Sequence, residues 1–283
     1  MKTTIGFVGQ GWIGKHYADD FEARGYTVVR YALEAPYVGN QARIAECDIT
    51  FIAVPTPTTP QGFDDSSVRS ALTTIGTGKV AVIKSTLAPG TTNKLQTDFP
   101  DIIVLHSPEF LVEKTAAYDA AHPERNIIGI PHSSDTHQRA AVAVHAVLPP
   151  ASYAITLSST EAELIKYAGN CFLYTKVVFM NALYDLTEAY GVDYEQIAEA
   201  MAHDPRIGAS HMQPVHQTGR GAGGHCFIKD FEAFIHTLRS AKPTDPALPM
   251  LEAIRDYNLT LLRTTGKDAD LVAGVYGPAN VLK

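Results

Sequence analysis

Several groups of residues in this sequence have the types and spacing to do chemistry. Gly9-Gln10-Gly11-Trp12-Ile13-Gly14 is a GxGxxG hexamer that follows an apolar run and opens a helical pattern. In that setting Gly9 makes a tight turn, Gly11 lets the backbone approach a pyrophosphate, and Gly14 lets helix and strand pack closely. The helix N-terminus then faces the phosphates. The competing reading is a tight turn with no ligand. The next strand ends Val28-Val29-Arg30-Tyr31-Ala32-Leu33-Glu34. Ala32 stands where an acid for the ribose hydroxyls is expected, and Glu34 is the nearest acid. Arg30 offers the opposite choice, a contact to a 2′-phosphate. The balance favours NAD over NADP. Lys166 and Asn170 are spaced i, i+4, so a helix puts both on one face. Cys226 follows the Gly-rich stretch Gly219–Gly224 and precedes Lys229-Asp230. A lone cysteine is usually a small buried hydrophobe, and Cys47 and Cys171 keep that reading. His106, His122, His132, His137 and His145 are scattered without ligand-type spacing, so no metal site is expected.

These residues need elements to hold them. Strands are expected at Thr4–Val8, Thr27–Tyr31, Ile49–Val54, Val80–Lys84, Ile102–His106 and Asn126–Ile130, with helices such as Gly14–Arg24 and Thr91–Asp98 between them. This alternation predicts a parallel sheet covered on both faces. Ala140 to Thr160 reads as a helix, a turn at Pro149-Pro150 and a strand. From about Ser159 the apolar spacing is helical through Leu164, Ala168, Phe172, Thr175, Phe179, Leu183 and Leu186, which predicts one long helix. Thr160 with Glu163 fits a capping box at its start. Another helix is expected from about Leu248 to Thr265. The run Val272-Ala273-Gly274-Val275-Tyr276-Gly277 reads as a last strand.

Five further stretches carry a resemblance. They are Ile52-Ala53-Val54-Pro55-Thr56-Pro57, Lys84-Ser85-Thr86-Leu87-Ala88-Pro89-Gly90-Thr91-Thr92, Ser107-Pro108-Glu109-Phe110-Leu111-Val112-Glu113, Glu163-Leu164-Ile165-Lys166-Tyr167-Ala168-Gly169-Asn170, and Gly223-Gly224-His225-Cys226-Phe227-Ile228-Lys229-Asp230. In this order and spacing the chain resembles the nucleotide-sugar 6-dehydrogenases, the UDP-glucose and GDP-mannose dehydrogenase family. The resemblance implies oxidation of a primary alcohol to a carboxylate in two steps with two NAD. Lys166 and Asn170 would hold the developing alkoxide and later oxyanion. Cys226 would add to the aldehyde and become a thioester. Asp230, Thr86 and Glu113 would position or deprotonate the hydrolytic water. Glu109 would be a substrate or water ligand, and Phe110, Leu111 and Gly223 would line the substrate. Arg206 would reach substrate across a dimer, or else form a structural ion pair. Trp12, Ile13, Val54, Pro55, Thr56, Ser85 and Thr86 would join Gly9, Gly11, Gly14 and Glu34 around the cofactor.

The chain also departs from the family pattern. Ser107 and Val112 replace an Asn and an Arg beside the Pro-Glu-Phe-Leu stretch. Arg220, Ala222, His225 and Ile228 stand at altered positions in the cysteine loop. The family's third, nucleotide-binding domain is expected to be missing, and Val272–Gly277 would be the remnant of its first strand. A smaller or differently held substrate, a partner chain supplying that surface, or decayed catalysis would each account for this. The expected architecture is a Rossmann-type NAD-binding domain over 1–155, an all-helical 6-phosphogluconate-dehydrogenase-like domain over 156–266, and a tail over 267–283. The site would lie between the domains, and the long helices would form a homodimer interface. The alternatives are a single-step hydroxyacid or alcohol dehydrogenase that uses Lys166 and Asn170 without Cys226, and an NAD-binding subunit that completes a partner.

Composition fits this picture. The chain has 283 residues, 45% hydrophobic and 19% charged, enough to bury a core without disulfide or metal. Net charge is −7 with no Lys/Arg run, which argues against nucleic acid as a partner. Three widely spaced cysteines suit a reducing, cytoplasmic setting. The N-terminus enters a strand directly and no stretch is long and apolar enough to span a membrane.

Overall fold

A computed structural model describes residues 3–278. The elements in chain order begin β1 (Thr4–Val8), α1 (Trp12–Ala23), β2 (Thr27–Tyr31), α2 (Gln41–Ile44), β3 (Ile49–Ile52), β4 (Thr58–Thr59), β5 (Gly62–Phe63), α3 (Ser66–Leu72) and β6 (Val80–Ile83). They continue with α4 (Thr91–Asp98), β7 (Ile103–His106), α5 (Ala116–Ala121), β8 (Arg125–Ile130), α6 (Asp135–Val147), β9 (Tyr153–Ser158) and α7 (Ser159–Tyr190). The last are α8 (Tyr194–Ala202), β10 (Val215–His216), β11 (Gly219–Arg220), α9 (Gly224–Ala241), α10 (Ala247–Thr265) and α11 (Ala269–Tyr276). The chain divides into two compact units. The first comprises the residues up to Thr56 and Asp64–Lys166; the second comprises Pro57–Phe63 and the residues from Tyr167 on. The division falls inside α7, later than the 155 expected from sequence.

The first unit is built on a seven-stranded sheet of order β2-β1-β3-β6-β7-β8-β9. Its central strands are apolar on both faces and buried, as parallel strands covered by helices must be. Phe7 stacks on Phe51 at 5.2 Å and meets Phe21 of α1 edge-on at 5.4 Å, which fixes α1 against the sheet. The order reverses at β1, whose neighbours are β2 and β3, so a crevice opens beyond the C-terminal ends of β1 and β3. The expected all-parallel pairing needs one correction: β8 runs antiparallel to β7. An antiparallel pair keeps its connection at one end of the sheet. The segment between them therefore stays at the C-terminal end of β7, beside that crevice.

The second unit is mainly helical, with two small hairpins, β4-β5 and β10-β11. Tyr174 of α7 stacks on Phe231 of α9 at 3.9 Å within an apolar cluster that includes Ile235 and Leu251. The run Val272–Gly277, read as a strand, is instead helix α11 as far as Tyr276. A short apolar run does not distinguish a strand from a buried helix. Val272 and Val275, one turn apart, pack with Ile228, Leu259 and Leu262, a partnership available only to a helix here. Residues 279–283 of the expected tail lie outside the described residues. The capping box at α7 is also displaced. Ser158 and Glu161 form it reciprocally, Ser158 N–H donating to Glu161 Oε2 at 2.9 Å and Glu161 N–H to Ser158 Oγ at 3.3 Å. Glu163 is committed elsewhere.

Candidate active site

The glycine hexamer occupies the turn from β1 to α1. Gly9 has φ +91°, and a Cβ there would lie 2.2 Å from the Ala53 carbonyl oxygen. A Cβ on Gly14 would lie 1.9 Å from the Gly9 carbonyl oxygen. A Cβ on Gly11 would meet nothing within 4 Å. Two glycines are thus demanded by backbone packing, while the third leaves open space at the helix N-terminus, which fits a pyrophosphate. Trp12 is half exposed beside that space, and Ile13 packs on the core. The other expected cofactor residues converge on the same end of the sheet. Val54 N–H donates to Ser85 Oγ at 3.0 Å, Ser85 O–H donates to the Val54 carbonyl at 2.7 Å, and Thr56 O–H donates to the Thr86 carbonyl at 2.8 Å. These bonds tie the ends of β3 and β6 together beside β1. Pro55 is exposed and Thr86 is buried.

Arg30 is not available to a 2′-phosphate. Its guanidinium is buried and held by Glu22, at 2.7 and 2.9 Å, and by Asp19 at 2.7 Å. The Arg30 alternative read from sequence is corrected: a strand-end arginine visible to the eye is already neutralised by α1. Glu34 stands exposed on the turn after β2, where its carbonyl accepts from Tyr37 and Val38 N–H groups.

A second cluster of the first unit gathers around Glu109. Lys166 Nζ donates to the Glu109 carbonyl at 2.8 Å and to its carboxylate at 3.0 Å, with both side chains buried. Glu109 Oε2 also accepts from Leu111 N–H at 2.8 Å, which locks the loop that carries Phe110 and Leu111. Phe110 lies under the Arg125 guanidinium at 3.7 Å. Phe110 and Leu111 line a cavity of about 370 Å³ whose wall includes Tyr17, Lys84, Ser107 and Asn126. Burial pushes the Lys84 ammonium down to about 8, opposed by the Glu109 carboxylate. Lys84 donates to Ser107 Oγ at 3.2 Å and lies over the Tyr17 ring. Ser107, an apparent departure from the family, therefore serves as the partner of Lys84. Glu113 stands exposed on a 3₁₀ turn.

Glu163 anchors the loop that bears Ser85 and Thr86. Its carboxylate accepts from Gly90 N–H at 2.5 Å, Thr92 N–H at 2.8 Å and the Thr92 hydroxyl at 2.6 Å. It thereby caps α4 from outside, a favourable place for an anion.

The second unit carries the remaining groups. Cys226 is an exposed thiol in the first turn of α9. Asp230 lies one helical turn later on α9 and is fully buried. Its carboxylate accepts from Asn170 Nδ2 at 2.6 Å and pairs with Lys229 at 2.5 Å. Cys171 is different: burial, then the Asp230 charge, push its thiol up, so it stays protonated. His225 is exposed at the helix start. Arg206 is 88% exposed and pairs with Asp204 at 2.6 Å. Among the described residues no group of three or more His, Cys, Asp or Glu side chains could hold a metal, and no helix is long and apolar enough to cross a membrane.

The glycine loop before Cys226 is held through its backbone. Asn258 Oδ1 accepts from Ala222 N–H at 2.7 Å, and its amide donates to the Ala222 carbonyl at 2.9 Å. Lys267 Nζ donates to the Gly221 carbonyl at 2.9 Å. Asp268 Oδ2 accepts from Gly224 N–H at 2.7 Å. Sequence reading missed Lys84, Glu163's anchoring role, Asn258, Lys267 and Asp268. Asn258 and Asp268 sit in ordinary helix and turn contexts, so only the folded chain reveals their partners.

Comparison with known proteins agrees with this geometry. Residues 38–148 match the NAD binding domain of the UDP-glucose/GDP-mannose dehydrogenase family, and residues 160–260 match its central domain. The UDP-glucose 6-dehydrogenase AglM of Haloferax volcanii is 30% identical over 90% of this chain and 69% of its own length. TuaD of Bacillus subtilis, also a UDP-glucose 6-dehydrogenase, is 35% identical over 76% of this chain and 47% of its own length. The structure of a UDP-glucose dehydrogenase from Pyrobaculum islandicum superposes with a TM-score of 0.78 at 26% identity, covering 96% of this chain and 71% of that one. The chain spans about half the length of several curated relatives it matches. With the dinucleotide turn, the Lys166–Glu109 pair and the Cys226 helix in place, the chain belongs to the UDP-glucose/GDP-mannose dehydrogenase family and carries its NAD binding domain.

Proposed function

We propose that this chain oxidises the primary alcohol of a nucleotide sugar to the uronic acid in two NAD-dependent steps, with UDP-glucose as the default substrate. One observation carries the reading furthest: buried Asp230, one turn after the Cys226 thiol, is held by Asn170 and Lys229. A buried, fixed carboxylate next to a presented thiol is what thioester formation and hydrolysis need. NAD, when bound, accepts a hydride in each oxidation. In the first, the Lys166 ammonium and Asn170 amide stabilise the alkoxide as the C–H hydride leaves, giving an aldehyde. Cys226 Sγ then bonds to the aldehyde carbon, supplying the tetrahedral centre from which a second hydride can leave. The product is a thioester. The first turn of a helix favours the thiolate needed for the attack. Water cleaves the C–S bond with Asp230 taking its proton and Thr86, Glu109 and Glu113 orienting it. The sum is alcohol, two NAD⁺ and water to carboxylic acid, two NADH and two protons.

Phe110, Leu111 and Gly223 line the substrate in this reading, and Glu34 holds the ribose. A homodimer goes with it. Along α7, Phe172 is 69% exposed, Phe179 59% and Tyr190 76%, an apolar stripe that a second copy would cover. Arg206, exposed beside Asp204, would then reach the other copy's substrate. The same proposal places the chain in the cytoplasm and in polysaccharide biosynthesis. The test is NADH formation against a panel of sugar nucleotides, free sugars and hydroxyacids, with wild type and Cys226→Ala. The thioester reading predicts turnover of a sugar nucleotide and loss of acid product in the variant. Undiminished Cys226→Ala activity on a small alcohol would support a single-step dehydrogenase. NAD binding without turnover, together with co-purification of another chain, would support a partner-dependent subunit.

A further inference from the structure

We infer that Lys267 and Asp268, in the connection between α10 and α11, are positioning residues that set the reactivity of the Cys226 thiol by fixing the glycine loop and the first turn of α9. The inference rests on the assignment of Cys226 as nucleophile. Lys267 is 5% exposed although it is a lysine. Its ammonium is spent on loop carbonyls, Gly221 at 2.9 Å and Gly219 at 3.5 Å. Burial lowers its proton affinity, opposed by the Asp268 charge. A buried ammonium is tolerated only with partners, and here the partners are backbone atoms of this loop. Asp268 adopts φ +54°, an uncommon conformation for a residue with a side chain. Its carboxylate thereby reaches Gly224 N–H, one of the N-terminal amides of α9 that lack a partner within the helix. Gly223 packs directly against both residues. A Cβ there would lie 2.0 Å from Asp268 Oδ2 and 2.8 Å from Lys267 Cε.

The consequence is geometric. The Gly221 carbonyl, both backbone groups of Ala222 and the Gly224 amide are tied to Lys267, Asn258 and Asp268, which restrains the segment entering Cys226. In the same region Val272 and Val275 of α11 pack on Leu259, Leu262 and Ile228, the last on α9, and make none of the loop bonds.

The experiment is the rate at which iodoacetamide alkylates Cys226, followed by peptide mass spectrometry on the full chain without NAD or sugar nucleotide. Lys267→Met and Asp268→Ala remove the bonds. Lys267→Arg and Asp268→Asn keep a donor or acceptor in place. Val275→Ala weakens the same region without touching a loop bond. Losing one such bond should change the alkylation rate at least about fivefold, and the conservative variants should return to within about twofold of wild type. Lys267→Met and Asp268→Ala rates within about twofold of wild type would overturn the inference. So would an equal change in Val275→Ala, because general loosening would then explain the effect. The readout needs no turnover. Absence of sugar-nucleotide oxidation would therefore sink the proposed function while leaving this result intact.

Discussion

Replacing Glu163 tests how the first unit holds its cofactor end. The carboxylate is fully buried and accepts three hydrogen bonds, from Gly90 N–H, Thr92 N–H and the Thr92 hydroxyl. Hydrogen bonds to a charged group are worth ~1.5–3 kcal/mol each, but three on one carboxylate do not add. In Glu163→Gln the amide oxygen can keep both Thr92 bonds. Its NH₂ then faces Gly90 N–H, donor against donor, which costs about 1–3 kcal/mol. Glu163→Ala leaves three donors without their acceptor and should cost about 3–5 kcal/mol, from about 1–3 kcal/mol for each buried unpaired group with less than full additivity. Urea denaturation read by far-UV circular dichroism gives both values. NAD affinity should fall with them, because the anchored loop carries Ser85 and Thr86. A Glu163→Gln stability within about 0.5 kcal/mol of wild type, or Glu163→Ala no worse than Glu163→Gln, would refute the anchoring argument.

Three other predictions follow from the geometry. Gly11→Ala should fold with wild-type Tm yet bind NAD at least about tenfold more weakly by calorimetry, since its Cβ would enter the open space that fits a pyrophosphate, whereas Gly14→Ala should unfold because its Cβ strikes the Gly9 carbonyl. His106 is fully buried, donates from Nδ1 to the Ile83 carbonyl, and is pushed from 6.5 down to about 3 mainly by burial. The unfolded chain therefore takes up a proton that the folded chain refuses, and stability present above pH 6.5 drains away as pH falls toward 3. Denaturation at several pH values should show about 1.5–2 kcal/mol lost between roughly pH 6.5 and 5, and His106→Asn should remove that slope. Asp230→Asn should lower kcat by about 10²–10⁴ in steady-state assays and cost about 1–3 kcal/mol in stability, because the amide oxygen still accepts from Asn170 while its NH₂ faces the Lys229 ammonium.

The parts of the fold that were readable in sequence share one property: their signal is local. β1 and β2 fall where alternating apolar runs end at Gly9 and at the turn after Tyr31, and α4 starts after Pro89-Gly90. The run Val272–Gly277 was misread because its partners, Ile228 and Leu259, are distant in sequence. The reversal of β8 was invisible for the same reason, since residue pattern does not encode strand direction. In the site, Lys166, Asn170, Cys226 and Asp230 stood out through spacing and resemblance. Glu109 stood out as a candidate too, but which side chain each of them pairs with did not. Glu109 binding Lys166 spans 57 positions, and Asp268 reaching Gly224 spans 44. Arg30 shows the converse error, a residue whose chemistry looked open until α1 folded over it.

The central claim is a four-electron oxidation through Cys226, and the stoichiometry of NADH to sugar nucleotide tests it most directly. With limiting UDP-glucose and excess NAD, the account predicts two NADH per sugar and a uronic acid product. One NADH per substrate, or an aldehyde product from wild-type protein, would contradict it.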